Sequence, residues 1–134
     1  MSGAHISTQG LVLREVNYKE SDKILTVLTA EGGRRTVKAR GCRRKGSPLA
    51  ASAQLLAYSD MTLFAYRDHF TLNEAESIRQ FWHVKEDVVK LSLASYFAEV
   101  MEAVAVEGRP DPALLSLILN ALYALDQLNK PLAL

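Results

Sequence analysis

Seven of the 16 Lys and Arg residues of this chain fall within residues 34–45: Arg34, Arg35, Lys38, Arg40, Arg43, Arg44 and Lys45. No acidic residue interrupts them, although the formal net charge of the whole chain is only +1. Five of the seven are arginines, whose planar fork donates paired hydrogen bonds to a phosphate. A single-sign run is usually a solvated surface. This one begins inside an apolar-alternating segment, so it reads as a grip for an anionic polymer held on a folded face.

Other chemistry is poorly supplied. His5, His69 and His83 are scattered, and none stands at metal-ligand spacing with a second His, Cys or carboxylate pair. The glycines of "EGGRR" lack the Lys-Ser/Thr that ends a phosphate-binding loop, and they precede a strand. Cys42 is the only cysteine, so it forms no internal disulfide, and beside Gly41 it reads as a small filler rather than a nucleophile. Glu20 and Asp22 offer two carboxylates that read better as turn caps or partners of Lys19 and Lys23. The expectation is a protein that is not an enzyme and needs no cofactor.

The elements that carry the basic run are strands. "GLVLREV" and "DKILTVLTA" alternate with a period near two, joined by "NYKES", and "EGG" makes a turn into a third strand. In "RRTVKAR" that period puts Arg34, Thr36, Lys38 and Arg40 on one face and Arg35, Val37 and Ala39 on the other. "CRRKGSPLAASA" then continues the charge into a mobile loop. "LLAYSDMTLFAY" and "FTLNEAESI" supply two more strands around the polar joint "RDH". Five short strands in about eighty residues, with no helix-length segment between the first and third, predict a small closed antiparallel barrel of the oligonucleotide-binding (OB) type. Such barrels offer their second and third strands to nucleic acid. Tyr18, Tyr58, Tyr66, Phe64 and Phe70 are the candidate rings for stacking on a base; Phe64 and Phe70 read better as core, and Tyr18, next to Lys19 in the first connection, is the best placed. Few aromatics near the cations point to backbone-dominated binding of low sequence selectivity.

After residue 80 the period becomes helical. Trp82, Val89, Tyr96 and Val100 recur at helical spacing, with Phe81, Val88, Leu91, Leu93 and Phe97 broadening the stripe. Gly108 and Pro110 end this helix. Asp111 caps a second, which Leu114, Leu115, Ile118, Leu119, Leu122, Leu125 and Leu128 line. The fold class is therefore α+β: an OB barrel over residues 1–80 and the start of a helical domain, an α-helical hairpin, over 81–134. The apolar ending "NKPLAL" predicts that the helical domain continues further. Charge divides the same way, +4 over residues 1–80 and −3 over 81–134. No apolar run reaches a membrane span, and the N-terminus lacks a targeting pattern, so the chain reads as soluble.

Specific residues in this frame resemble the RecO family of bacterial DNA repair and recombination proteins. The resemblance rests on Leu13-Arg14, on Tyr18, Glu20 and Asp22, on Thr29, Glu31 and Gly33, and on Gly41, Arg43, Arg44 and Lys45. Ala75-Glu76, Phe81 and Tyr96 match the family's passage into its helical domain. It implies binding to single- and double-stranded DNA, strand annealing, and recombinase loading together with RecR. It also implies contact with the C-terminal tail of single-stranded-DNA-binding protein, and a cytoplasmic, nucleoid-associated location. The DNA-contacting residues it implies are the seven cations above. Departures are Gln54-Leu55-Leu56 where the family often has Gln-Pro-Phe, Cys42 where Ala is usual, and the absence from this chain of the cysteine zinc module many members carry further along.

Two other readings remain open on the residues alone. The apolar helices could dock a protein while the basic loop binds an acidic tail. The barrel could instead bind RNA, since a phosphate grip does not distinguish the two nucleic acids.

Overall fold

The computed structural model describes residues 3–129; Lys130–Leu134, most of the apolar ending noted above, lies outside the described residues. Five strands, β1 (Ala4–Tyr18), β2 (Asp22–Thr29), β3 (Gly33–Ala39), β4 (Tyr58–Tyr66) and β5 (His69–Arg79), close into a barrel in the order β1-β2-β3-β5-β4. This is the OB-like α+β architecture expected, with one refinement. β3 and β5 run parallel, with Val37 opposite Phe70 and Lys38 opposite Thr71, while the other pairs are antiparallel. The parallel pair follows from the long 40–57 connection, which returns the chain across the barrel before β4 begins.

Two cores form on either side of the barrel wall. Inside lie Val12, Leu25, Val27, Val37, Ala39, Met61, Leu63 and Leu72, plugged by Cys42, Leu49, Ala53 and Ala57 from the 40–57 connection. Outside, Leu11, Leu13 and Leu28 pack against Phe81, Val84 and the helices. β1 serves both by alternation, with Leu11 and Leu13 facing the helical part and Val12 the barrel interior. All three are buried because the helical part covers the outer face of β1 here, and the register shift between Val12 and Arg14 then changes which face the following residues occupy.

The helical part is a short α1 (Trp82–Lys85), then α2 (Val88–Val104) and α3 (Pro112–Gln127). The Asp87 carboxylate accepts the Val89 and Lys90 N–H groups and starts α2 afresh, so the expected first helix is split. Asp111 caps α3 through Leu114 N–H, with Pro112 in the first turn, as the sequence predicts. Leu115, Ile118, Leu122 and Leu125 form its buried face.

The helical stripe is met in part, since Phe81 is buried and Leu91, Phe97 and Val100 pack against the core, but the most buried face of α2 differs from it. Its buried residues are Lys90, Ala94, Ala98 and Met101, while Val88 and Tyr96 on α2 and Trp82 on α1 are exposed. Small residues let the helix axis approach the barrel wall and α3 closely, so bulk alone misidentifies the inner face. Lys90 remains tolerable there because its ammonium donates to the Leu128 carbonyl at the end of α3.

Candidate nucleic-acid interface

The basic run does not act as one unit; β3 carries it across a boundary. At the start of β3 the α2–α3 connection lies on the barrel. Gly33 has φ +67°, and a Cβ there would stand 2.1 Å from the Arg109 carbonyl oxygen and 2.8 Å from that of Val106. Arg34 Nη1 donates to the Glu102 carbonyl at 2.7 Å, near the C-terminal end of α2. Arg35 lies on the inner side of the strand end, paired with Glu31 at 2.9 Å and with Glu107 at 3.8 Å. Its guanidinium also covers the Phe70 ring at 4.5 Å. Arg34 and Arg35 are therefore engaged in holding the helices and the β2–β3 turn to the barrel.

From Lys38 onward the strand is uncovered. Lys38, Ile24 and Val16 follow one another across the outer faces of β3, β2 and β1, by the registers Ile24–Lys38 and Val16–Ile24. Tyr18 ends β1 on the same flank. Lys38 Nζ stands 5.4 Å from the centre of its ring and Lys19 Nζ 5.3 Å. Arg40, Arg44 and Lys45 are exposed and, among the described residues, hold no side-chain hydrogen bond or ion pair. Arg43 is exposed and donates from Nη1 to the Lys19 carbonyl at 3.3 Å. The structure thus brings Tyr18, Lys19, Lys38, Arg40, Arg43, Arg44 and Lys45 together at one end of the barrel and leaves Arg34 and Arg35 outside the group.

The segment carrying Arg43, Arg44 and Lys45 is not the mobile loop expected. Arg44 N–H donates to Gly41 O, Ser47 N–H to Arg44 O, and Ala50 N–H to Ser47 O, winding it into successive turns. Cys42 and Leu49 anchor those turns in the barrel core. The Asp22 carboxylate accepts the Gly41 N–H at 2.7 Å, and Arg43 N–H donates to Ser21 O, so the turns are fastened to the β1–β2 hairpin. That hydrogen bond first, and then Ser21 and the charges of Lys19 and Lys38, hold the Asp22 carboxyl below its ordinary pKa, against a smaller opposing desolvation. Burial pushes the Cys42 thiol up, which suits a filler residue and works against a thiolate.

Two placements were not legible in the sequence. Tyr66 and Arg67, in the β4–β5 turn, lie toward the start of β3 and away from the basic end, because the parallel register sets Thr71 beside Lys38 and the Tyr66–His69 pair two residues back along the strand. Only the non-local pairing reveals this. The engagement of Arg35 had a local trace, since alternation placed it with Val37 and Ala39, and Glu31 precedes it by four. Elsewhere the barrel is acidic: Asp60, Glu74 and Glu76 line the outer groove between β1, β4 and β5.

Residues 1–81 match the family model described as recombination protein O N terminal, and residues 85–134 match recombination protein O C terminal. Among curated proteins, the DNA repair protein RecO of Acetivibrio thermocellus is 35% identical over 126 residues, covering 94% of this chain and 50% of that protein. The protein of the same name from Alkaliphilus metalliredigens is 38% identical over 122 residues, 91% of this chain and 50% of the relative. That of Caldicellulosiruptor bescii is 33% identical over 126 residues, 94% of this chain and 52% of the relative. The chain spans about half the length of these relatives. With more than half of its residues matched by the first model alone, the chain belongs to the RecO family of DNA repair proteins.

Proposed function

We propose that the protein binds single- and double-stranded DNA through phosphate contacts and acts as a non-enzymatic mediator of recombination. One observation carries the reading. Lys19, Lys38, Arg40, Arg43, Arg44 and Lys45 converge with the Tyr18 ring on an uncovered barrel end, while Arg34 and Arg35 are occupied elsewhere. The turns that present the last three are pinned, so little ordering entropy opposes their use. Tyr18 offers a stacking face to a base, and its two lysines are free to move onto the flanking phosphates.

Neutralising the charge of two strands at once reduces their repulsion and favours annealing, a process that needs no catalytic side chain and no cofactor. Family membership supports the further partners: RecR, the C-terminal tail of single-stranded-DNA-binding protein, and through them the recombinase. It likewise supports a cytoplasmic, nucleoid-associated setting. Among the described residues no helix is long and apolar enough to cross a membrane.

The test is fluorescence anisotropy of labelled single-stranded and duplex DNA with the unsubstituted protein and an Arg40→Glu/Arg43→Glu/Arg44→Glu variant shown to be folded. Binding that collapses in the variant supports the phosphate grip. A second reading, a protein-interaction module, is favoured by the exposed apolar side chains Trp82, Val88 and Tyr96 on the helices. It requires the charge-reversed variant to bind DNA as the unsubstituted protein does.

A further inference from the structure

The long connection that carries the basic turns runs on to meet the helical part. From Gly46 to Ala51 its solvent-facing residues are Gly46, Ser47, Pro48, Ala50 and Ala51, all short. No acidic residue occurs anywhere from Gly32 to Ser59. The Ala51 carbonyl accepts the Gln80 Nε2 amide at 3.0 Å, and Gln80 Oε1 accepts the Lys85 ammonium at 3.1 Å. The connection therefore offers a track of short side chains, free of carboxylates, from the Arg43–Lys45 turns to the joint between β5 and α1.

At that joint stands Trp82, the only tryptophan of the chain, 58% exposed. An indole has much to gain from burial, yet the core position beside it goes to Phe81. Phe81 holds left-handed backbone, φ 56°, and Trp82, next in sequence, faces solvent. The Lys85 ammonium lies over the Trp82 ring, 5.4 Å from its centre. The Arg79 guanidinium lies 4.7 Å from the ring centre of Tyr123, itself 49% exposed. Arg79 and Trp82 both line a cleft of about 470 Å³, with Gln80, His83 and Gln127. The Asp126 carboxylate in its wall is buried and accepts the Val84 N–H at 3.2 Å.

We propose that Trp82 is a base-stacking site for single-stranded DNA on the helical part, with Arg79 taking the adjoining phosphate. The inference rests on the phosphate grip proposed above and extends its path beyond the barrel. A strand held by Arg43, Arg44 and Lys45 crosses the short side chains of the connection without meeting a carboxylate, and its next bases reach the indole. Lys85 lies over one face of that ring, which leaves the other for a base. The phosphate that follows lies near Arg79, whose planar fork exchanges the Tyr123 face for two oxygens. A duplex keeps its bases stacked on one another and gains only the Arg79 contact. An apolar protein partner would have no use for the carboxylate-free approach or for the flanking cations.

As the only tryptophan, Trp82 reports its own contacts through its fluorescence. The test titrates the protein with an oligothymidylate and with an abasic oligonucleotide of the same length. Indole emission and the anisotropy of a label on the DNA are read together. Oligothymidylate should quench the indole in step with binding, and the abasic strand should bind with little quenching. Trp82→Leu, which keeps apolar bulk without a π face, should weaken oligothymidylate binding roughly tenfold, the scale of one lost stack, and leave abasic binding unchanged. Trp82→Phe keeps a ring and should retain most of the affinity. The stacking site is overturned if oligothymidylate binds without quenching, if both strands quench alike, or if Trp82→Leu weakens both equally or neither. In each of these cases salt-sensitive anisotropy leaves the phosphate grip standing, and unquenched binding returns Trp82 to the protein-docking reading. An unsubstituted protein that binds neither strand removes the grip and the stacking site together.

Discussion

The Asp22 carboxylate accepts the Gly41 N–H at 2.7 Å, across 19 residues of sequence, and so fastens the start of the basic turns to the β1–β2 hairpin. Because this bond lowers the folded-state pKa, its contribution is complete above the ordinary aspartate value of about 3.9 and is lost only as pH falls through the lowered one. We predict that amide exchange at Gly41, corrected for its intrinsic pH dependence, shows constant protection from pH 8 down to about pH 4.5 and loses it only in stronger acid. Asp22→Ala should remove that protection at pH 7 and speed tryptic cleavage after Arg43, Arg44 and Lys45 severalfold. Unchanged protection in Asp22→Ala would show that Cys42 and Leu49 alone hold the turns.

Gly33 is where the helices meet the barrel, and it has room for no side chain. Gly33→Ala combines left-handed strain with a clash against the backbone at Val106 and Arg109, and should cost at least ~2 kcal/mol. Gly46 has a similar φ of +79° but nothing within 4 Å of a Cβ, so Gly46→Ala should cost about 1 kcal/mol. Thermal melts of the two variants check this. Equal losses would mean that the close approach at Gly33 does not hold the helices in place.

Arg35 should behave as a structural residue despite its place in the basic run. Arg35→Ala leaves Glu31 without its partner and uncovers Phe70, and is expected to lower stability by about 1–3 kcal/mol. Arg43→Gln and Arg44→Gln, both at exposed positions, should stay within about 0.5 kcal/mol of the unsubstituted protein. Denaturant titration distinguishes the two classes, and equal effects would contradict the division of the run.

Cys42 should be inert while the protein is folded. Buried in the barrel plug with its pKa raised, the thiol is expected to react with an aromatic disulfide reagent at pH 8 at least tenfold more slowly than in denaturant. Equal rates in both conditions would place the thiol at the surface.

Much of this arrangement was legible in the sequence because its signals are local. The period-two alternation located all five strands, and Asp111-Pro112 marked the start of α3. The matched residues Asp22, Thr29 and Glu31 turn out to build scaffold. Asp22 ties down Gly41, Thr29 Oγ donates to Gly33 O and accepts Gly32 N–H, and Glu31 pairs with Arg35. What the sequence concealed depends on distant partners. Arg34 looks like Arg43 until the Glu102 carbonyl, 68 residues away, is placed against it. The innermost positions of α2 are Lys90, Ala94, Ala98 and Met101, which no bulky hydrophobic stripe announces. Tyr66 is one of several candidate rings in the sequence, and its position toward the start of β3, away from the basic turns, is set by a parallel strand pair with no local signature.

The most direct test of the phosphate grip is the salt dependence of single-stranded DNA binding, plotted as log K against log salt. Six cations at the uncovered barrel end predict a slope of up to about −4, and Arg40→Gln/Arg43→Gln/Arg44→Gln should flatten it to about −2. Arg34→Gln should leave the slope unchanged, because that guanidinium is bound to Glu102. A slope that the triple substitution does not alter, or one that Arg34→Gln reduces as much as Arg43→Gln does, would contradict the assignment of the free half of the basic run to DNA.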